Sequence, residues 1–284
     1  MFQAAFPASF LPEVGKILFC GDIGDPIYAK DLVGICSYIK TSSPSTMIKI
    51  ITNGSYKSAD WWSDLGRVLG REDQVTFSVD GWDQGSNERY RVNSNFDSII
   101  EGAMTLRSVS DCMMSWSMIY FLFNEEHVDR VRSLARNLGF DMFEAVKSTK
   151  FDGRYLIDGI DPLKPVHTNN VSVFTTYNKD ARERLRERAI PVFLKQTKEA
   201  HPWAKCLNWQ KELFINVDGL VFPCPWFNSG YQDNDFVDKY RDRISVRSRT
   251  LMDILNDPLW GELITRFETM PLEVCRIKCK NGKS

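Results

Sequence analysis

Residues 16–54 read KILFCGDIGDPIYAKDLVGICSYIKTSSPSTMIKIITNG, and this stretch decides the fold class. Two short apolar runs, Lys16–Gly21 and Met47–Gly54, are rich in β-branched or aromatic residues and end in glycine, which is typical of buried strands. Between them, Ala29–Lys40 has apolar residues at helical spacing. A strand, a helix and a second strand in this order predict two parallel strands joined by a crossover helix.

The same alternation continues to about residue 150. Ser58 is suited to begin a helix as its N-cap, and Gly139 is suited to end one. The pattern predicts an α/β fold in which helices cover a parallel sheet, either open or closing into a barrel. The further strands are predicted at Gln74–Gly81, Cys112–Phe121 and Met142–Ser148, and the further helices at Ser58–Leu69, Phe96–Arg107 and Asn124–Leu138.

Polar or glycine-containing segments follow three of the predicted strands, with the sequences GDIGDP, TNG and SVDG. Each segment alone is also compatible with an ordinary glycine turn. Ligands of parallel sheets bind at the carboxyl ends of the strands, so three such segments together favour one shared pocket. The candidate pocket residues are Gly24, Asp25, Asn53, Ser78 and Asp80.

Composition excludes several classes of protein. There are 36 Lys and Arg against 37 Asp and Glu, so the chain is not a globally basic nucleic-acid binder. A hydrophobic content of 43% is ample for a packed core. No apolar run is long enough to span a membrane, and the first residues lack the charged region of a signal peptide. The charged stretches Lys179–Arg188 and Arg241–Arg249 indicate solvated surfaces rather than nucleic-acid contacts.

Four of the seven cysteines form two close pairs in the C-terminal third. Cys206 is separated from Gly219 by twelve residues and Gly219 from Cys224 by four, while Cys275 and Cys279 have three residues between them. Glu212–Phe222 between the first pair predicts a β-hairpin that turns at Asp218-Gly219. Without a secretory signal the cysteines belong in a reducing compartment, where clustered thiolates bind metal.

Four thiolates suit a tetrahedral site that holds either an iron–sulfur cluster or zinc. The other three cysteines, Cys20, Cys36 and Cys112, have no close spacing and are expected to pack in the core. No Ser-His-Asp order, HExxH motif or Walker glycine loop is present, which excludes the common hydrolases and NTPases.

These motifs resemble the radical SAM enzymes that carry a C-terminal SPASM domain or its shorter twitch form. The resemblance implies one auxiliary [4Fe–4S] cluster bound by Cys206, Cys224, Cys275 and Cys279. Gly24-Asp25-Pro26 resembles the family's turn that contacts the methionyl amino group of S-adenosylmethionine. Asn53 and the Ser78–Asp80 segment are similar to the next two strand ends, which line the cofactor and substrate pocket.

The chain departs from the family at one point. The family binds its catalytic cluster through a C-x(3)-C-x(2)-C loop after a first strand, whereas no cysteine precedes Cys20 here. We therefore expect a partial (β/α) barrel over residues 1–150 that lacks its first strand. A linker with a charged helix over 151–200 and a SPASM- or twitch-like iron–sulfur domain over 201–284 are expected to follow.

The resemblance implies the larger part of a split or truncated cytoplasmic enzyme that modifies a peptide or small metabolite by radical chemistry. An upstream polypeptide would then supply the catalytic cluster, and S-adenosylmethionine would bind only with that segment present. Two alternatives are a non-catalytic iron–sulfur electron-relay or binding protein and a zinc-stabilised interaction protein. Membrane and nucleic-acid partners are not expected.

Overall fold

The computed structural model describes residues 2–21, 24–147, 163–165, 172–177, 179–181, 183, 213–223, 225 and 234–269. The chain divides into two compact units. One consists of residues 11–190, and the other combines residues 1–10 with residues 191–284. Among the described residues, no helix combines the length and the apolar character required to cross a bilayer.

The first unit is built on a six-stranded sheet whose strands lie in the order of the sequence. The first five strands are parallel, and the sixth is antiparallel to the fifth. The predicted α/β fold and all five predicted parallel strands are confirmed. The strands are β1 (Lys16–Phe19), β2 (Met47–Thr52), β3 (Gln74–Ser78), β4 (Met113–Ile119), β5 (Met142–Val146) and β6 (Val173–Thr176).

Helices connect the parallel strands. Ser58 caps the third helix by accepting a hydrogen bond from the Trp61 amide, and Gly139 adopts a φ of +77° after the sixth. The helices whose bounds are described are α1 (Phe2–Ala5), α2 (Leu32–Ser42), α3 (Ala59–Val68), α4 (Gln84–Asn87), α5 (Phe96–Val109), α6 (Val128–Asn137), α7 (Asn234–Tyr240), α8 (Leu251–Leu255) and α9 (Leu259–Thr269). Short 3-10 turns cover Leu11–Glu13, Pro26–Tyr28 and Glu125–His127.

Consecutive strand order is the arrangement of a (β/α) barrel, because repeated right-handed crossovers then place every helix on the same face of the sheet. Large aromatic side chains, including Trp62, Phe77 and Trp116, are fully buried in this unit. Among the described residues, β1 pairs only with β2 and is an edge strand. This agrees with the expected barrel that lacks a strand beside β1.

Strand β6 was not predicted, because Val173–Thr176 was expected to lie in the linker. The segment pairs with β5, as Val173 lies opposite Ala145 and Thr176 opposite Met142. Its residues have high strand propensity, but the Gly, Pro and Asn residues before them favour a loop prediction. Of the charged stretch Lys179–Arg188, where the linker helix was expected, residues 179–181 and 183 are helical, and the others lie outside the described residues.

The second unit contains the predicted hairpin. Strand β7 (Phe214–Ile215) pairs antiparallel with β8 (Val221–Phe222), and Gly219 adopts a φ of +78° at the turn. Buried Leu220 and Phe222 pack with residues of α7 and α9, including Val237 and Leu259. The hairpin between Cys206 and Cys224 is therefore confirmed.

Two arginines from the stretch Arg241–Arg249, which the sequence indicates as a solvated surface, converge on one carboxylate. Arg243 and Arg249 both form ion pairs with Asp257, whose side chain is almost fully buried. The Arg243 guanidinium, followed by Arg249, holds the pKa of Asp257 well below its usual range. The folded protein therefore favours the ionised carboxylate more strongly than the unfolded chain does.

The ion pairs of Asp257 make the second unit sensitive to acid. Because the folded pKa of Asp257 is lowered, its stabilisation is present above the unfolded pKa of about 3.9 and is lost as pH falls further. We expect Asp257→Asn to lower the melting temperature at pH 7 by roughly 5 °C. That difference should shrink as the pH falls below about 4. Thermal unfolding followed by circular dichroism across this pH range measures the effect.

Asp238→Asn is the matched control because it removes the same charge from an exposed position on α7 of the same unit. It should change the melting temperature by less than about 2 °C. A deficit of Asp257→Asn that stays constant down to pH 2 would contradict the role of its ionised form.

Candidate functional site

Asp25 joins the segments that follow β1 and β2. Its Oδ1 accepts hydrogen bonds from the Ile27 amide at 3.2 Å and the Thr52 hydroxyl at 2.7 Å. Its Oδ2 accepts a third from the Asn53 amide at 2.6 Å. Hydrogen bonds to an ionised carboxylate are among the stronger ones in proteins. The carboxylate therefore holds the turn that contains Gly24 against the end of β2.

The TNG segment after β2 depends on its glycine. Gly54 has a φ of +75°, and a Cβ atom there would lie 2.8 Å from the Phe77 ring. The Thr52 hydroxyl accepts a hydrogen bond from the Gly54 amide, and the Asn53 side-chain oxygen accepts one from the Ser55 amide, both at 2.9 Å. These contacts form a compact turn that fixes the position of Asn53.

Ser78 and Asp80, predicted to share one pocket, differ in their surroundings. Ser78 is the last residue of β3 and is half-buried. Asp80 is fully buried, and its Oδ1 accepts a hydrogen bond from the Ile119 amide at 2.7 Å. Its Oδ2 lies 2.7 Å from Arg91 Nε, an ion pair in which the N–H is not aligned as a hydrogen bond.

Burial raises the pKa of Asp80, and the Arg91 charge and the Ile119 amide offset part of that rise. Because the carboxylate is enclosed, Asp80 acts on its surroundings through Arg91 rather than by contacting a ligand directly. Its backbone is fixed as well, since the Asn124 amide group donates to the Asp80 carbonyl at 2.8 Å. Asp80 is thus a positioning residue for Arg91.

A cavity of about 530 Å³ opens beside these turns. Of the five predicted residues, Asn53 is among those described as lining it, while Gly24, Asp25, Ser78 and Asp80 are not. The other lining residues were not predicted from the sequence, although each lies in a segment that follows a predicted strand. The lining residues are Tyr28, Asn53, Ser55, Tyr56, Tyr90, Arg91, Val92, Asn93 and Ser94.

The predicted metal ligands, Cys206, Cys224, Cys275 and Cys279, lie outside the described residues. The described part of the chain contains no group of three or more His, Cys, Asp or Glu side chains placed to hold a metal ion. The described β-hairpin lies between Cys206 and Cys224 in the sequence, and β8 ends two residues before Cys224.

The three remaining cysteines do not share one environment. Cys36 and Cys112 are buried, as expected, and burial raises the pKa of Cys36 to about 12 and that of Cys112 to about 11. Both thiols therefore remain protonated near neutral pH and act as core residues. Cys20 is exposed, contrary to the core position expected for it, because it follows the last residue of the edge strand β1.

Residues 206–280 match the SPASM family, an iron–sulfur cluster-binding domain. The match begins at Cys206 and ends one residue after Cys279. No curated protein matches the chain in sequence. The C-terminal part of the chain is therefore related to a family defined by iron–sulfur binding.

Two solved structures share the fold. SuiB from Streptococcus suis aligns with a TM-score of 0.52 at 15% identity, over 88% of this chain and 57% of SuiB. The protein anSMEcpe, in a structure with bound AdoMet, aligns with a TM-score of 0.53 at 13% identity, over 100% of this chain and 82% of that protein. This chain thus spans less than two thirds of SuiB. The resemblance of residues 206–280 to the SPASM domain is confirmed, and the chain shares its fold with SuiB and anSMEcpe.

Proposed function

We propose that this chain is the larger part of a radical SAM-type enzyme and carries one auxiliary [4Fe–4S] cluster. It modifies a peptide or small metabolite when a separate segment supplies the catalytic cluster. The observation that carries the proposal is the SPASM match, which encloses Cys206, Cys224, Cys275 and Cys279 and no other cysteine. These four thiolates are the donor set that an iron–sulfur cubane requires.

The residues of the first unit suit S-adenosylmethionine as the second cofactor. Asn53, which lines the cavity, offers its side-chain amide to an amino-acid head, and Asp25 supports this cofactor site by holding the Asn53 backbone in place. Ser78 offers a hydroxyl for a ribose. Asp80 contributes by holding Arg91. S-adenosylmethionine, when bound beside a catalytic cluster, supplies the radical chemistry; the residues of this chain bind and orient it.

The similarity to anSMEcpe supports this assignment. One structure of that protein contains AdoMet and a Cp18Cys peptide, and it aligns with a TM-score of 0.52 at 14% identity over 98% of this chain. A peptide substrate for this chain is therefore consistent with the shared fold. Reducing conditions keep thiolates available for a cluster, which favours a cytoplasmic location.

Iron analysis tests the proposal. Anaerobic reconstitution should give about four iron and four sulfide per chain together with broad visible absorption. Cys224→Ser should lose most of the iron because it removes one of the four thiolate ligands. Cys20→Ser is the matched control, since Cys20 lies outside the SPASM match and should leave the iron content unchanged.

Stoichiometric zinc without visible absorption would contradict the iron–sulfur assignment and favour a zinc-stabilised interaction protein. Equal iron loss in Cys224→Ser and Cys20→Ser would contradict the ligand set. Because metal binding is coupled to folding, Cys224→Ser should also increase proteolysis within residues 231–284 more than within residues 16–148.

A further inference from the structure

The first ten residues of the chain pack in the second unit, although they precede the strands of the first unit in the sequence. Ala5 of α1 is 1% exposed and lies in one core cluster with residues of β8 and α8. Phe6 and Phe10 pack against the same cluster. We call residues 2–10 the strap, because they cover an apolar face of the second unit. The buried residues that the strap covers are Val221, Val246, Leu251 and Ile254.

The strap has a defined conformation with one packed side and one exposed side. The Phe6 amide donates a hydrogen bond to the Phe2 carbonyl at 2.8 Å, and the two rings stack with their centres 4.6 Å apart. This helical turn separates two consecutive alanines, since Ala5 is buried in the core cluster while Ala4 is exposed. The contact with the second unit is therefore specific to particular positions of the strap.

The strap covers one of the two apolar faces of strand β8. Consecutive side chains of a strand point to opposite faces. Val221 belongs to the cluster that contains Ala5, whereas Phe222 belongs to a second cluster, which α7 and α9 form with the hairpin. Helices α7 and α9 thus support one face of β8, and the strap and α8 support the other. Both side chains are fully buried, so removal of either cover would expose apolar surface to water at a cost in stability.

Strand β8 leads directly to Cys224. Only Pro223 separates the two in the sequence, and a proline ring restricts the backbone of that linking residue. Strands β7 and β8 pair over only two residues each, and an isolated two-stranded hairpin is marginally stable in water. The position of β8 therefore depends on the packing at its two faces, and the strap supplies part of that packing.

We propose that the strap is a positioning element for the metal-binding segment of the second unit. By packing against Val221 it fixes β8, and β8 fixes the start of the segment that carries Cys224. Residues at the beginning of the sequence thereby control how firmly a site near its other end retains its metal. The nature of that metal group rests on the proposed function, whereas the dependence of β8 on the strap does not.

Two neighbouring alanine substitutions test the proposal in the full chain after anaerobic reconstitution. Ala5→Glu places an unpaired charge in the core cluster, which is costly unless the strap leaves its position. We expect this variant to release iron to a chelator at least about tenfold faster than the unmodified chain. Ala4→Glu is the matched control, because it adds the same charge at an exposed position of the same helix, and its release rate should stay within about twofold.

A conservative substitution distinguishes apolar packing from a general effect of altering the strap. Phe6→Asn should also release iron faster, because a polar side chain does not pack well against the core cluster. Phe6→Leu should restore the slow release, since leucine keeps an apolar side chain at this position. The visible absorption of the cluster follows both rates.

Hydrogen exchange separates this proposal from the proposed function. In Ala5→Glu, the amides of residues 214–222 should exchange faster than in Ala4→Glu, while those of β3 should keep their protection. Three results would overturn the proposal: equal iron release by the two glutamate variants, equally fast release by Phe6→Leu and Phe6→Asn, and a loss of protection in β3 as large as in β7 and β8. A chain that binds zinc would refute the proposed cluster, yet the difference in exchange between the glutamate variants would still decide the role of the strap.

Discussion

We expect Asp73→Asn to lower the free energy of unfolding of residues 11–190 by about 3–5 kcal/mol, because it breaks an ion pair whose carboxylate is fully buried and whose ammonium is largely buried. Asp73 Oδ1 lies 3.1 Å from Lys40 Nζ and accepts a hydrogen bond from the Ile48 amide at 2.7 Å. Its Oδ2 accepts a hydrogen bond from the Gly70 amide at 2.8 Å. The side-chain NH2 group of an asparagine would face one of these N–H donors and could not accept its hydrogen bond. Chemical denaturation followed by tryptophan fluorescence measures the loss.

Asp64→Asn is the matched control. Asp64 pairs with Arg67 on the surface, where both side chains are more than 60% exposed, so its loss should cost about 0–1 kcal/mol. Equal effects of the two substitutions would contradict the structural role of Asp73. If Asp73→Asn does not fold alone, Lys40→Met in the same chain should recover stability by removing the unpaired buried cation.

A second buried aspartate has the same role two strands further along the sheet. Asp141 precedes β5 as Asp73 precedes β3, and its Oδ2 accepts a hydrogen bond from the Met114 amide at 2.8 Å while pairing with Arg107. Each carboxylate thus fixes the start of the neighbouring strand and anchors a helix. Sequence reasoning could not identify this role, because an aspartate before a strand has the composition of an ordinary turn.

The five parallel strands were predictable because each is an apolar run with a clear end. The close approach of Asp25 and Asn53 was predictable too, since carboxyl ends of parallel strands meet at one edge of the sheet. Asp80 shows the limit of that reasoning. Its position after β3 was predicted correctly. Its ion pair with Arg91, eleven residues further along the chain, could not be read from the sequence.

The tyrosines of the cavity could not be identified from spacing. Tyr28, Tyr56 and Tyr90 lie in three separate loops, and no local pattern distinguishes them from other tyrosines. Only the fold brings them together, through hydrogen bonds such as that from Tyr56 to Asn93. Each tyrosine nevertheless lies fewer than ten residues after the end of a predicted strand.

We expect no 5′-deoxyadenosine from this chain alone, and formation of that product once a polypeptide with a C-x(3)-C-x(2)-C loop is added. The seven cysteines of the 284 residues contain no such spacing, so under the proposed function a second segment supplies three further thiolates. Among the described residues, β1 is an edge strand with which an added strand could pair. Chromatography after anaerobic incubation with S-adenosylmethionine and a reductant measures the product.

Asp25→Ala should lower the restored cleavage by at least about tenfold, because three hydrogen bonds between the turn after β1 and the end of β2 are lost. Asp31→Ala is the matched control: Asp31 caps α2 through the Gly34 amide, and no described hydrogen bond joins its side chain to β2. Cleavage by the lone reconstituted chain would show that no further cluster is needed. Failure of every added segment, with the auxiliary cluster intact, would instead favour an electron-relay or binding protein, since that cluster would then serve without radical chemistry.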